Sequence, residues 1–380
     1  MAKEYRIVQI LPELETGGIE SFVNSLNENL VQNDLKSYVI SAGGKLANSI
    51  EEAGGTHIRL DVRSKNLLTF LKRKSLLENT LNHIRPDIIN VHSRVPAWLT
   101  YFANYKLKIP IISTIHGFNH ISFYSEIMIR ANHVVCVSNS LKHFILNNYK
   151  RQKPENITTI NCGVDEEIFS SKNIDHEDKD NLKKRYNLEN AFIVTTIGRF
   201  TKLKDFETFL YAISIAKKAN PKIKGIIKGY APKRKRKYYK RIVGMIKELG
   251  LNDTVSIITA SHSMHTIYAL SDVVVSTSNK PESLGLTLIE AQLHNKPIIA
   301  TKHGGPLDII EEGINGFLFT PGDPQALANL LINFGEFNFT NLREKAVAKF
   351  SSKQSTKSYI KLYKKFIDNS NQKTNKNGRM

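Results

Sequence analysis

Two periodicities alternate along the chain. Short apolar runs rich in β-branched residues recur at Tyr5–Leu11, Ser37–Ser41, His57–Leu60, Asp87–His92, Pro110–Ile115, Val134–Val137 and Ile157–Ile160, and each predicts a strand. Helical spacing appears between them: Ile19, Phe22, Val23, Leu26 and Leu30 fall on one face of a helix that follows the Glu13–Gly18 turn. Pro86 closes another helix, which ends near His83. Strands that alternate with helices predict a parallel sheet covered on both faces.

The pattern breaks between Asp165 and Asn190, where Lys, Asp and Asn dominate and apolar periodicity is lost; residues 166–190 are expected to form a linker. A second strand–helix series opens at Ala191. Its first helix places Phe206, Phe209, Leu210, Ile213 and Ala216 on one stripe, and strands are expected at Ile223–Ile227, Val255–Ile258, Val273–Ser276, Pro297–Thr301 and Gly316–Phe319. A last helix, 353–368, carries Tyr359, Leu362, Tyr363 and Phe366 and must bury them. The expectation is an α/β chain with domains at 1–165 and 191–352, a helix at 353–368 packing back toward the first domain, and a disordered tail at 369–380.

Composition narrows the class. Of 380 residues 41% are hydrophobic, enough for two cores, which excludes wholesale disorder. No apolar run approaches the ~18–20 residues of a bilayer-spanning helix, and the N-terminal residues lack a signal-peptide pattern. Cys136 and Cys162 fit neither a disulfide framework nor a zinc site. A cytoplasmic location is expected, with peripheral attachment to the cytoplasmic face of an inner membrane as a variant of it. Lys and Arg number 54 against 35 acids, a net charge of +19 that favours polyanions such as phosphorylated ligands, anionic lipid or nucleic acid. Abundant Lys and Asn from codon bias would give the same charge without any function.

In open parallel sheets ligands bind beyond the carboxyl ends of the strands, so the loops there are where chemistry is sought. Gly17-Gly18 follows the first strand; without Cβ atoms the pair lets backbone approach a phosphate or sugar, and it serves equally as a tight turn. Arg199 and Lys204 follow the strand Phe192–Ile197, a guanidinium fork and a compact ammonium suited to a diphosphate, or two solvated charges. Glu282 and Glu290 stand eight positions apart in Pro281-Glu282-Ser283-Leu284-Gly285-Leu286-Thr287-Leu288-Ile289-Glu290. The useful geometry keeps Glu282 in a loop and Glu290 inside a helix starting near Gly285, whose first N–H groups, those of Gly285, Leu286 and Thr287, face an anion or sugar hydroxyls. A buried Glu290 needs a partner, which a ribose diol could supply. His303-Gly304-Gly305-Pro306 is a further loop, either phosphate-proximal or structural, and His116 ends a strand in Thr114-Ile115-His116-Gly117.

Taken together and in this order, the E-x7-E string, the Gly-Arg…Lys pair, the Thr-Ile-His-Gly strand end and the Thr-Gly-Gly loop resemble the retaining glycosyltransferases of family 4, from about Ile7 to Leu331. The overall similarity is to bacterial enzymes of lipopolysaccharide and surface-glycan assembly. The resemblance implies a GT-B fold, two Rossmann-like doubly wound domains facing across a cleft. It implies a UDP- or GDP-linked sugar as co-substrate and neither metal nor cofactor. By this resemblance Glu290 holds the ribose, Arg199 and Lys204 the diphosphate, and Glu282 with the Gly285–Leu286 backbone the transferred sugar, with Thr287 also on the donor side. His116 lies near that sugar, Gly17 and Gly18 line the cleft near the phosphates and a glycan or lipid-linked acceptor, and Ser138 and Asn139 face the cleft on the acceptor side. The chain departs from the family at Gly229-Tyr230-Ala231-Pro232, at Asp308 and over Thr259–Met264. Asp178-Lys179-Asp180 has no preceding strand and is expected to be solvated charge.

One feature lies outside that pattern. Lys233, Arg234, Lys235, Arg236, Lys237, Lys240 and Arg241, interleaved with Tyr238 and Tyr239, open a helix running to Leu249. A solvated helix face and a site for anionic lipid are the leading readings. RNA stacked on the two tyrosines is a third, although no RNP, KH or helix-turn-helix pattern accompanies it and nucleic acid is not expected as a partner. Two other functions compete with transfer: a nucleotide-sugar 2-epimerase on the same fold, against which the Glu282–Glu290 string argues, and a non-catalytic polyanion-binding protein.

Overall fold

The computed structural model describes residues 4–15, 17–150, 152–231, 236–259 and 262–377, with 369–377 by backbone alone. The chain divides into two compact units, Met1–Asp165 with Phe350–Met380, and Glu166–Lys349.

The first unit is built on strands β1 (Arg6–Ile10), β2 (Lys36–Ser41), β3 (Thr56–Arg59), β4 (Ile88–Val91), β5 (Ile111–Ile115), β6 (His133–Cys136) and β7 (Ile157–Thr159). They pair in the order β3-β2-β1-β4-β5-β6-β7, parallel throughout. The central strand β4 is buried at every position, as a parallel sheet covered on both faces requires. The helix Gly18–Gln32 buries the expected face, Phe22, Val23, Leu26 and Leu30.

Strands β8 (Phe192–Ile197), β9 (Ile223–Lys228), β10 (Val255–Ile258), β11 (Val273–Ser276), β12 (Ile298–Thr301) and β13 (Gly316–Phe319) form the second sheet, again parallel, in the order β10-β9-β8-β11-β12-β13. The helix Phe206–Ala219 buries all five residues of its predicted stripe. In each sheet the order reverses once, between β1 and β4 and between β8 and β11. At such a switch point the outgoing loops part to opposite sides and leave a crevice at the strands' carboxyl ends.

Residues 166–190 are more than a linker. They belong to the second unit and contain the helix His176–Arg185, capped by Asp175, which accepts from the Asp178 backbone N–H. Leu182 and Leu188 are buried against Ile193, Ile226, Ile258, Ile267 and Leu270. The helix buries a single leucine in an otherwise charged sequence, so it leaves no apolar period to read. Asp178 is not simply solvated either, since it lies 3.0 Å from His262 Nδ1.

The C-terminal helix runs Ser352–Asn377, beyond the expected end at Asp368. No proline or glycine interrupts 352–377, so nothing local stops it; residues 378–380 lie outside the described residues. Its Tyr359 and Tyr363 are fully buried in the first unit. There Asn90 Nδ2 donates to the Tyr363 hydroxyl at 2.8 Å, and Thr114 Oγ1 is 3.2 Å from that of Tyr359. Among the described residues no helix is long and apolar enough to cross a membrane.

Of the basic cluster, Lys233, Arg234 and Lys235 lie outside the described residues. Arg236, Lys237, Lys240 and Arg241 sit exposed on the helix Arg236–Glu248. The stacking platform imagined for the tyrosines is contradicted. Tyr238 is buried, donating to Glu207 and accepting from the Phe206 N–H, while Tyr239 packs edge-on to Phe200 with centroids 4.9 Å apart. Both rings are spent on the core.

Candidate active site

The second unit's switch point gathers the loops that follow β8 and β11. Gly229 and Gly198 approach so closely that a Cβ on Gly229 would lie 1.9 Å from the Gly198 carbonyl oxygen. The stem of Lys204 lies across Gly198, with Cε 2.8 Å from where a Cβ would stand. Lys204 ends the short turn Lys202–Lys204, after which Asp205, in the left-handed region at φ 46°, caps the helix Phe206–Ala219. The β11 loop fastens this turn: Thr277 Oγ1 reaches the carbonyls of Lys204 and Asp205 at 2.9 Å each, and Asn279 Nδ2 donates to that of Lys202 at 2.9 Å.

The ammonium so placed lies 2.7 Å from Glu282 Oε1. Ser276 donates to the same oxygen at 3.2 Å, and Ser278 donates to it as well. Burial pushes the Glu282 carboxyl up, but the charge of Lys204 and the hydrogen bonds from Lys204, Ser278 and Ser276 outweigh it and hold the group below its ordinary value. Among the described residues Oε2 receives no hydrogen bond. Glu282 is thus ionised, oriented through one oxygen and open at the other.

Backbone packing fixes the acid's position. The Gly305 N–H donates to the Glu282 carbonyl at 2.7 Å, and a Cβ on Gly305 would lie 2.2 Å from Leu284 Cα. His303 Nε2 and Thr301 Oγ1 both donate to the Ser278 carbonyl, at 2.8 and 2.9 Å. His303-Gly304-Gly305 is therefore a support under the 278–284 segment. Gly285, at φ 106°, then turns the chain into the helix Leu286–Leu293, whose first residues Leu286 and Thr287 are half-exposed.

Glu290 lies on that helix, as the preferred reading of the eight-residue spacing has it. It is not waiting for a partner: Tyr268, fully buried, donates to Oε2 at 2.5 Å. Burial still holds Glu290 above the usual carboxylate value, the Tyr268 bond pulling the other way. Behind it His294 Nδ1 donates to the Glu290 carbonyl at 3.0 Å, which makes His294 Nε2 an acceptor for His265 Nδ1 at 3.2 Å. Among the described residues Oε1 of Glu290 has no donor, so this acid too is held by one oxygen. Arg199 stands exposed at the end of β8 and, among the described residues, makes no ion pair.

In the first unit, Gly17 and Gly18 lie exposed at the start of the helix Gly18–Gln32, where Gly17 is the N-cap and no side chain caps the helix. The Glu20 carboxylate folds back over this start, against the place a Gly17 Cβ would occupy. His116 follows β5. Its Nε2 lies 3.1 Å from His92 Nδ1 and its Nδ1 3.7 Å from Cys162 Sγ, with Phe22 edge-on at 5.3 Å. Burial pushes the ring down to about 3, so it is neutral, and both of its nitrogens face protein groups. Ser138 is fully buried, its hydroxyl capping the helix Asn139–Asn148 through the Leu141 N–H. Of the expected cleft-lining pair only Asn139 is at the surface.

Residues 178–350 match the family model for Glycosyl transferases group 1, and residues 16–168 match Glycosyltransferase Family 4. A solved glycosyltransferase from Rickettsia africae ESF-5 shares the fold with a TM-score of 0.84 and 27% identity, over 96% of this chain and 99% of that one. The chain is a family 4 glycosyltransferase of GT-B fold. Its curated relatives include the N-acetyl-alpha-D-glucosaminyl L-malate synthase of Bacillus anthracis, 28% identical over 73% of this chain and 74% of that protein. They also include the capsular polysaccharide biosynthesis glycosyltransferase CapM of Staphylococcus aureus, 24% identical over 90% and 93%.

In this glycosyltransferase the second unit brings Lys204, Glu282 and Glu290 to one switch point, and the first unit carries Gly17, Gly18 and His116 on loops of its own carboxyl edge. Sequence reasoning missed Ser276, Ser278, Tyr268 and His92, and of the two readings it left open for His303-Gly304-Gly305-Pro306 the bonds to the Ser278 and Glu282 carbonyls favour the structural one. The run Ser276-Thr277-Ser278 at a strand's carboxyl end was a readable signal for hydroxyl donors. Tyr268, 22 residues from Glu290, offered none.

Proposed function

We propose that this glycosyltransferase moves a hexose-type sugar from a UDP- or GDP-sugar, with retention of configuration, to a glycan or lipid-linked acceptor of bacterial surface polysaccharide. The observation that carries the reading is Glu282. Its carboxylate is ionised, clamped through Oε1 by Lys204, Ser276 and Ser278, and open at Oε2 beside the helix start at Leu286. An oriented acceptor oxygen suits the hydroxyls of a sugar, and Glu290, held in the same way by Tyr268, suits a ribose diol.

In this reading Arg199 and Lys204 take the diphosphate. As the bond from the anomeric carbon to the phosphate oxygen breaks, negative charge gathers on the leaving diphosphate, and fixed cations stabilise it without reorganising. The acceptor hydroxyl attacks on the face the diphosphate leaves, and its proton passes to the departing phosphate oxygen. These charges make the step metal-independent. The relationship to CapM supports a surface-glycan acceptor.

The test is a panel of UDP- and GDP-sugars offered to the purified chain with and without chelator, with nucleotide release and the anomeric configuration of the product read by NMR. Slow donor hydrolysis, transfer with retention and indifference to chelator are expected. An inverted product, interconversion of epimeric donors, or nucleotide binding without turnover would each overturn the proposal.

A further inference from the structure

Apolar side chains crowd one surface of the first unit. Leu67 is 83% exposed, Leu68 94%, Leu71 75% and Phe123 66%. The surface is continuous: Phe70 meets Phe102 at 5.5 Å between centroids, Phe102 meets Trp98 at 6.1 Å, and Trp98 meets Phe123 at 5.7 Å. A groove of about 570 Å³ runs through it, lined by Leu67, Phe70, Trp98, Leu99, Phe102 and Tyr124 among others.

The leucines are held out deliberately by the loop they sit on. Arg73 is buried beneath that loop, and its guanidinium donates to Thr69 Oγ1 at 3.1 Å and to the Asn66 carbonyl at 2.8 Å. Asn66 Oδ1 in turn accepts from the Leu68 N–H at 2.9 Å. A folded loop that presents two adjacent leucines to water forgoes their burial in its own core, so something else must cover them.

Charge says what. Residues 59–74 hold six Lys or Arg and one acid, Asp61, whose carboxylate is already engaged by the N–H groups of Arg63 and Ser64. Arg73 is buried, Arg63 pairs with Glu13 and Lys74 with Glu78, which leaves Arg59, Lys65 and Lys72 without an ion pair among the described residues. Lys65 and Lys72 are exposed beside the leucines. On the other flank Arg94 lies 5.5 Å over the Tyr124 ring and Arg130 5.1 Å over Phe123. Inserting leucines, an aromatic band and a rim of long cations match the acyl boundary, interface and headgroups of an anionic bilayer.

We propose that this surface docks the enzyme on an anionic membrane. Its parts leave the carboxyl ends of β3, β4 and β5, the edge of the sheet that also carries Gly17 and His116. Docking there brings a lipid-linked acceptor to the loops of this unit. The proposal goes beyond sugar transfer and does not depend on the donor.

Trp98 is the chain's only tryptophan and lies in the groove, so it reports on docking directly. The full chain is mixed with phosphatidylcholine vesicles with or without phosphatidylglycerol, in the absence of any nucleotide sugar. Co-sedimentation with the anionic vesicles alone, a shift of Trp98 emission to shorter wavelength, and reversal by salt are expected. The Leu67→Asp, Leu68→Asp double variant should lose at least about tenfold in partitioning, while keeping parental donor hydrolysis as a sign that it is folded. Three results would each overturn the proposal. The double variant could partition like the parent. The chain could bind with Trp98 emission unmoved, which would place docking elsewhere, as on Arg236–Arg241. Lipid-free sedimentation could show self-association that the same substitutions abolish, which would give the surface to a second copy. Because vesicle binding is read without donor or acceptor, failure of the transfer reading would leave this result standing, and the reverse.

Discussion

Lys204 Nζ lies 2.7 Å from Glu282 Oε1, and the Lys204 carbonyl is itself held by Thr277 Oγ1 from the loop that leads to Glu282. Cation and carboxylate are therefore placed by one piece of structure, in which the β8 and β11 loops are tied together before the side chains meet. Neither position is separately adjustable. In the proposed reaction a lysine so held meets a leaving phosphate without losing further side-chain freedom, the condition under which fixed charge is most effective.

Lys204→Ala should lower kcat/KM by about 10²–10³-fold, the scale for loss of one preorganised donor to a developing anion. Glu282→Gln should lower it comparably, since the amide keeps the shape and loses the charge that fixes Lys204. The double variant should cost less than the two single effects added, because each already disables the other's partner. Near-parental transfer by both single variants, with circular dichroism unchanged, would remove the pair from the site.

Tyr268→Phe leaves the Glu290 carboxylate buried with its hydrogen bond gone. A loss of about 1–3 kcal/mol in unfolding free energy at neutral pH is expected, with a raised KM for the donor. The deficit should narrow as pH falls through the raised pKa of Glu290, because the protonated acid no longer needs a donor to its charge. Urea unfolding of the two proteins across that range checks both signs. A deficit that is the same at all pH values would mean that the tyrosine acts only by packing.

Much of this organisation was legible beforehand. The strand runs and the stripe from Phe206 to Ala216 are set by burial against a sheet, which leaves a period in the sequence. The helix His176–Arg185 leaves none, because one buried leucine suffices to dock it. Glu282 and Glu290 stood out as acids among leucines. The donors that orient them come from other elements, and only pairing β8 with β11 and folding the helix Met264–Leu270 beside Glu290 brings Ser276 and Tyr268 into reach. Ser138 misled for the opposite reason: a serine at a strand end is as good a helix cap as a ligand, and here it is the cap.

Acid should weaken the first unit through its histidines. Burial pushes His116 down to about 3, and burial with nearby Lys365 and Lys142 pushes His133 down to about 4; burial and His116 also hold His92 well below its ordinary value. All three rings are neutral when folded and take a proton on unfolding once pH drops below about 6.5. Their contribution is whole above that value and is lost progressively as pH falls toward 4 and 3. Each ring can cost up to about 1.4 kcal/mol per pH unit in that window. Denaturant midpoints should fall steadily from pH 7 to 5, and less steeply in His133→Gln. A flat profile over that interval would contradict the burial of these rings.

Glycines supply the sharpest test of how the site is supported. Gly305 has an ordinary helical backbone at φ −59°, so alanine there is objectionable only sterically, with its Cβ 2.2 Å from Leu284 Cα and the Leu284 carbonyl oxygen. Both are backbone atoms that cannot swing aside, and the segment that must move carries Glu282 two residues earlier. Gly313 is the converse, with open space around the missing Cβ but φ at +74°. Gly335 has neither constraint, having no atom within 4 Å and no positive φ. Gly335→Ala should therefore be near neutral, and Gly313→Ala should lose about 1 kcal/mol of stability with donor KM unchanged. Gly305→Ala should lose about 1–3 kcal/mol and, if Glu282 holds the sugar as proposed, raise donor KM as well, because it displaces that carboxylate. Thermal melts and donor titrations on the three variants separate backbone strain from displacement. If Gly305→Ala melted early yet bound the donor like the parent, Glu282 would not be what holds it.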